Sequence, residues 1–112
     1  MAQILLTGAS GFVGSHLLRE LLHNGHQVRA LSRSMSSDQA IVAQGALPVR
    51  GELTNQDSLI EAATGVQAIF HCAANTSAWS RDKNTQWDTN VEGTRRLLHA
   101  GERANIECFF HK

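Results

Sequence analysis

The sequence predicts one doubly wound α/β domain, a parallel sheet of about five strands with helices packed on its faces. Three observations lead there. Strand-like and helix-like stretches alternate from end to end, the pattern that parallel strands with crossover helices leave in a sequence. Glycines recur at every third position, Gly8, Gly11 and Gly14, where the first strand gives way to the first helix. The chain has 112 residues, with no internal repeat, low-complexity segment or linker, so a single hydrophobic core is expected.

"QILLT" (Gln3 to Thr7) is a short apolar run suited to a strand buried on both faces. From Val13 the apolar residues fall at Val13, Leu17, Leu18, Leu21 and Leu22, which is helical spacing, and Asn24-Gly25 reads as its left-handed cap. "HQVRALS" (His26 to Ser32) restarts the strand signal. A short helix over Gln39 to Gln44 and a strand over Leu47 to Arg50 follow, with Pro48 tolerated near the strand's start. Ser58 to Ala63 reads as a helix capped by Asp57 and ended by Gly65. "QAIFHCAA" (Gln67 to Ala74) is the most hydrophobic strand candidate. Trp87 to Ala104 makes the longest helix, with Trp87, Val91, Thr94 and Leu98 along one stripe, and "IECFFH" (Ile106 to His111) is the fifth strand.

Composition narrows the function classes. Ten basic and ten acidic residues cancel, so no overall field draws in nucleic acid or an anionic membrane. No apolar stretch approaches the roughly 20 residues that span a bilayer. Met1 leads straight into a strand without a basic segment or an apolar signal core, which points to the cytoplasm. Cys72 and Cys108 lack metal-ligand spacing and sit in apolar runs, so buried thiols are expected and no metal site. His16, His23 and His26 lie on or beside the polar face of the first helix and read as solvated. His71, at a strand end, reads as structural, and His99 and Cys108 have no visible partner for a nucleophilic pair.

The glycines carry the functional signal. Glycine loses more backbone entropy on ordering than any other residue, so three of them in one turn need a reason. The first strand-to-helix turn of a doubly wound sheet is where a dinucleotide pyrophosphate sits, against the unpaired N–H groups and partial positive charge of the helix N-terminus. One glycine allows the tight turn, another admits the phosphate, and a third lets helix and strand pack closely. A plain tight turn is the alternative. The chain has no acid about 20 residues past the glycines, where an NAD-selective site places its ribose-binding carboxylate. "LSRS" (Leu31 to Ser34) stands there instead. Arg33 can pair with a 2′-phosphate through two N–H donors, with Ser32 and Ser34 as further hydroxyl donors, so NADP is the expected cofactor with NAD as the alternative. A solvated loop charge is the other reading of Arg33.

"TGASGFVG" (Thr7 to Gly14) resembles the signature of the extended short-chain dehydrogenase/reductases, the NAD(P)-dependent epimerase/dehydratase group. Three further segments follow in the family's order. "GELTNQDSL" (Gly51 to Leu59) resembles its Gly-Asp-Leu segment, with Glu52 in the place of the acid that contacts adenine. "HCAA" (His71 to Ala74) resembles its His-x-Ala-Ala, and "TNVEGT" (Thr89 to Thr94) its Asn-x-x-Gly-Thr. "ANTSAWSRD" (Ala74 to Asp82) is similar to the dihydroflavonol 4-reductase-like and bacterial sugar-epimerase-like branches. The resemblance implies a Rossmann-type NAD(P)-binding domain over residues 1–112. It places Gly8, Ser10, Gly11, Phe12, Val13 and Gly14 at the pyrophosphate, Glu52 and Leu53 at adenine, Ala73 and Ala74 beneath the cofactor, and Asn90 beside the active site, while Arg33 at the 2′-phosphate rests on the position argued above.

In the family, hydride transfer between nicotinamide and a hydroxyl or carbonyl substrate relies on a Tyr-x-x-x-Lys helix. The chain contains no tyrosine. The expectation is therefore the cofactor-binding part of an oxidoreductase or epimerase/dehydratase, without the last strands and the substrate-binding portion and inactive alone. A small-molecule substrate then belongs only to a full-length form. The alternatives are a non-catalytic, redox-sensing dinucleotide module and an inactive remnant. Left at the sheet edge, the fifth strand is expected to promote self-association.

Overall fold

The computed structural model describes residues 2–9, 11–72 and 83–111, with backbone alone for 83–91 and 111. The elements are β1 (Gln3–Thr7), α1 (Phe12–His23), β2 (Gln27–Ser32), α2 (Met35–Ala43), β3 (Leu47–Arg50), α3 (Gln56–Ala63), β4 (Ala68–His71), α4 (Lys83–Ala104) and β5 (Cys108–His111). They form the expected sheet. Its five strands are ordered β3-β2-β1-β4-β5, and every neighbouring pair is parallel.

The period-2 alternation of β1 divides the core into two layers. Ile4 and Leu6 face Leu18 and Leu21 of α1 and Ile41 of α2, with Val28 and Ala30 of β2 on the same face. Leu5 faces the other way, into Leu59, Ala62 and Ala63 of α3 and Leu97 and Ala100 of α4, beside Ile69 of β4. Because β1 is covered on both faces, it reads as a continuous apolar run rather than an alternating one. The chain runs outward from β1 through β2 to β3, then returns to place β4 on β1's other side. The carboxyl ends of β1 and β4 therefore flank the point where the winding reverses, the place where sheets of this kind bind ligands.

Several expected boundaries move, each for a local reason. Helix α2 starts at Met35 rather than Gln39, because the Ser34 hydroxyl accepts the Ser37 N–H at 3.2 Å and caps the helix. Asn55 rather than Asp57 caps α3, its side-chain oxygen accepting the Ser58 N–H at 3.1 Å. Asp57 lies in the first turn, where its charge suits the helix dipole. Helix α4 begins at Lys83, and the ladders of β4 and β5 start at Ala68 and Cys108. Cys72 is half-buried and Cys108 exposed, which corrects the expected buried thiols. His26 is half-buried rather than solvated, its Nδ1 accepting the Ala2 N–H at 3.2 Å.

The face of α4 is the larger correction. Leu98 is 42% exposed, while Gly93, Leu97, Ala100 and Gly101 turn inward. A Cβ on Gly101 would stand 2.6 Å from Ile106 Cδ1 and 3.2 Å from Ile69 Cδ1, so this helix lies close against the sheet because it has no side chain there. A stripe drawn through apolar residues alone misses a face built from glycine. The Trp87 and Val91 side chains lie outside the described residues. Truncating the buried leucine should therefore be costly and its neighbour nearly free. Leu97→Ala is expected to lose about 2–5 kcal/mol in urea unfolding, and Leu98→Ala to stay within about 0.5 kcal/mol.

Candidate dinucleotide site

Thr7, the last residue of β1, is fully buried, and the chain turns immediately after it. Gly8 takes φ 76°, a left-handed conformation that disfavours any side chain. The Gly11 N–H closes the turn onto the Gly8 carbonyl at 3.1 Å, and Gly11 is the N-cap of α1. Gly14 lies one turn into the helix, directly over Gly8. A Cβ there would fall 1.8 Å from the Gly8 oxygen and 2.6 Å from its carbonyl carbon.

Gly11 differs from both. Its φ of −78° suits any residue, and among the described residues a Cβ would meet nothing closer than the Gly8 oxygen at 3.5 Å, an ordinary contact. Backbone conformation explains Gly8 and packing explains Gly14. Neither explains Gly11.

The start of α1 is also bare. Among the described residues no side chain caps it, and no acid lies in its first turn, whereas α2 and α3 each carry both. Phe12 is 81% exposed and Val13 is exposed beside it, so the first N–H groups of α1 sit at an open surface.

Beneath the turn, a buried polar chain ties three elements together. Thr7 Oγ1 lies 2.6 Å from His71 Nδ1 and accepts the Cys72 N–H at 3.2 Å. The other ring nitrogen, His71 Nε2, lies 3.1 Å from Thr94 Oγ1 on α4. Thr7 and His71 are also register partners across the β1–β4 ladder. His71 thus has the structural role expected of it. The partnership of Thr7 and Thr94 was missed; its signal is a threonine and a histidine each ending a strand directly after an apolar run.

At the end of β2, Arg33 is exposed and makes no hydrogen bond or ion pair among the described residues. The neighbouring serines are engaged elsewhere. Ser32 is buried and donates to the Ser34 carbonyl at 3.0 Å, while the Ser34 hydroxyl donates to Ser37 Oγ at 3.0 Å. Of the two, Ser34 caps α2 and Ser32 braces it from the end of β2. Asp38 is paired with Arg50 at 2.7 Å.

After β3, Glu52 is exposed and Leu53 half-buried, and Ser58 Oγ accepts the Glu52 N–H at 3.1 Å. Asn90 lies in α4 with its side chain outside the described residues, and Ser10, Ala73 and Ala74 lie outside them altogether. Among the described residues no three His, Cys, Asp or Glu side chains gather as metal ligands, and no helix is long and apolar enough to cross a membrane. A separate hollow of about 350 Å³ opens near the amino ends of β1, β2 and β3, away from this turn. Its Arg29 is already bonded to the Ala62 carbonyl at 3.2 Å and to Gln3 Oε1 at 3.0 Å.

The model of the NAD dependent epimerase/dehydratase family matches residues 4–111. The chain belongs to that family. It is 40% identical over 102 residues to a dihydroflavonol 4-reductase-like protein of Synechocystis sp., covering 91% of this chain and 29% of that protein. The crystal structure of gox2253 superposes with a TM-score of 0.88 at 39% identity, over 99% of this chain and 34% of that one. A short-chain dehydrogenase/reductase superfamily protein from Agrobacterium tumefaciens, solved with bound NAD, gives a TM-score of 0.77 at 33% identity, over 97% of this chain and 31% of that one. The chain spans about a third of the length of these relatives. It is the NAD(P)-binding part of an extended short-chain dehydrogenase/reductase.

Two of the glycines should separate in stability. Gly14→Ala drives a methyl group into backbone and is expected to cost about 3 kcal/mol, the upper end for overpacking. Gly11→Ala should stay within about 1 kcal/mol. Thermal or urea unfolding of the two variants checks this.

Proposed function

We propose that the Gly8–Gly14 turn holds the pyrophosphate of a nicotinamide dinucleotide, with the N–H groups of Phe12 and Val13 donating to it. The observation that carries this reading is Gly11, a glycine that neither its backbone conformation nor its packing among the described residues requires. A side chain there would extend over the helix start, where a phosphate must approach the bare N–H groups. Gly8, Ser10 and Gly14 complete the turn in this reading. Glu52 and Leu53 face adenine, Ala73 and Ala74 lie beneath the cofactor, and Asn90 supports the active site. In the full-length enzyme the bound nicotinamide would exchange a hydride with a hydroxyl-bearing or carbonyl carbon of a small substrate. Residues 1–112 form the cofactor-binding domain of that enzyme.

We further propose that the cofactor is NADP(H). Arg33 is the support. It is an exposed guanidinium with no ion pair or hydrogen bond among the described residues, at the end of β2, where a carboxylate would repel a 2′-phosphate. A charge-assisted hydrogen bond of about 1.5–3 kcal/mol corresponds to roughly a ten- to hundredfold preference for NADPH over NADH. Isothermal titration checks both claims. Gly11→Val should abolish NADPH binding in a folded protein, and Arg33→Asp should reverse the preference towards NADH. Unchanged NADPH affinity in folded Gly11→Val would remove the pyrophosphate assignment, and equal affinities in the unsubstituted chain would remove the role of Arg33.

The two sheet edges differ, and the difference supports self-association of the 112-residue polypeptide. Strand β3 is guarded by Pro48, which has no N–H to donate, and by the Arg50 charge. Strand β5 reads Cys-Phe-Phe-His, with neither proline nor a permanent charge, and Phe110 is 45% exposed. We propose that β5 pairs with a second copy. Gel filtration should then give a dimer or larger species, shifted towards monomer by Phe110→Lys.

A further inference from the structure

Helix α4 meets the loop between β3 and α3 at three points. Arg96 Nη1 donates to the Leu53 carbonyl oxygen at 3.0 Å. Gln56 Nε2, from the first residue of α3, donates to the Arg96 carbonyl oxygen at 2.8 Å. Between these bonds Gly93 presents bare backbone to Leu53, since a Cβ there would stand 3.1 Å from Leu53 Cβ and 3.2 Å from Leu53 Cδ1. Arg96 and Gln56 are both half-buried, so each bond is partly shielded from water.

Other bonds hold the loop as well. The Asn55 N–H donates to the Glu52 carbonyl at 3.0 Å and Ser58 holds the Glu52 N–H, which shapes the turn and joins it to its own helix α3. The Gly51 N–H donates to the Ser32 carbonyl oxygen at 3.3 Å, which joins the start of the loop to β2. The Arg96 and Gly93 contacts join it to α4, which is also tied through Thr94 and His71 to Thr7 beneath the glycine turn. One helical turn, Gly93 to Arg96, therefore reaches the Glu52–Leu53 loop on one side and the floor of the glycine turn on the other.

We propose that Arg96 is a positioning residue for the adenine end of the dinucleotide site. Its guanidinium fixes the Leu53 main chain, and Gly93 and Gln56 hold the loop and helix at the matching distance. The inference rests on the reading that the Glu52–Leu53 loop faces adenine. An arginine suits the task because its planar fork can hold a carbonyl across the gap between two elements while its stem packs along the helix.

The test compares two probes on the purified protein, ADP-ribose, which contains adenine, and inorganic pyrophosphate, which does not. Arg96→Met keeps the aliphatic stem and removes the donors. It should weaken ADP-ribose roughly two- to thirtyfold, the range of positioning effects transmitted through a contact network, and leave pyrophosphate unchanged. Arg96→Lys, which restores one donor, should recover most of the loss. Should Arg96→Met fail to fold, Gln56→Met serves in its place, with the same selective loss expected at smaller size. Unchanged ADP-ribose affinity, or an equal loss for both probes, would overturn the positioning role while leaving the pyrophosphate assignment standing. If the unsubstituted protein binds pyrophosphate but gains nothing from the adenosine of ADP-ribose, the adenine reading and this inference fall together. If it binds neither probe, the dinucleotide reading falls as well.

Discussion

The contact between Gly14 and the Gly8 carbonyl sets the rest of the site. Only a residue without a side chain lets α1 come down onto the end of β1, because a methyl group would overlap the Gly8 oxygen at 1.8 Å. That approach aims the N-terminus of α1 at the turn it has just left, and its dipole and unpaired N–H groups open over the carboxyl end of the central strand. The central strand lies between β2 and β4, so the same point is the switch point of the sheet. The position of α1 over the end of the central strand thus follows from one close approach.

A second constraint works from below. His71 is almost wholly buried, and burying an imidazole without partners is costly. Its ring nitrogens reach Thr7 and Thr94, which belong to different elements, so the site's floor is pinned by polar geometry as well as apolar packing. Such a network specifies one arrangement, because a slip of β4 against β1 would take the ring away from its partners. Hydrophobic contacts alone tolerate more error.

Much of this architecture was legible in the sequence where local signals were strong. The apolar run of β1, the periodic α1 and the Gly8-Gly11-Gly14 spacing identified the switch-point turn before any coordinates. The start of α2 was not legible, because the first turn from Met35 to Asp38 carries no apolar periodicity and is fixed by the Ser34 cap. The buried face of α4 was hidden for another reason. Gly93 and Gly101 carry the packing there, and apolar periodicity does not register glycine as a core residue. The Thr7–His71–Thr94 chain and the Arg96–Leu53 bond are contacts between segments far apart in sequence, which spacing rules within one helix or strand do not reach. The match to the epimerase/dehydratase family agrees with the ordered motifs. Arg33 could be picked out by position, but the engagement of Ser32 and Ser34 became visible only in three dimensions.

The placement of β1 at the centre of the sheet also has a consequence for biosynthesis. One flank of β1 pairs with β2, whose partners lie 24 positions on, as in Gln3 with Gln27. Its other flank waits for β4, where Ile4 meets Ala68. During translation the β1-β2-β3 half can assemble once Arg50 is available, while Leu5 still lacks the α3, α4 and Ile69 side chains that cover it. At about 5–20 residues per second, the remaining stretch to His71 takes roughly one to four seconds to synthesise. For that interval the growing chain carries an apolar strand with one unpaired edge, and its face stays incompletely covered until α4 is made. Transiently exposed apolar surface and unpaired strand edges are what chaperones shield, so the order of the strands makes this half-sheet a stage at which the nascent chain is open to misassociation.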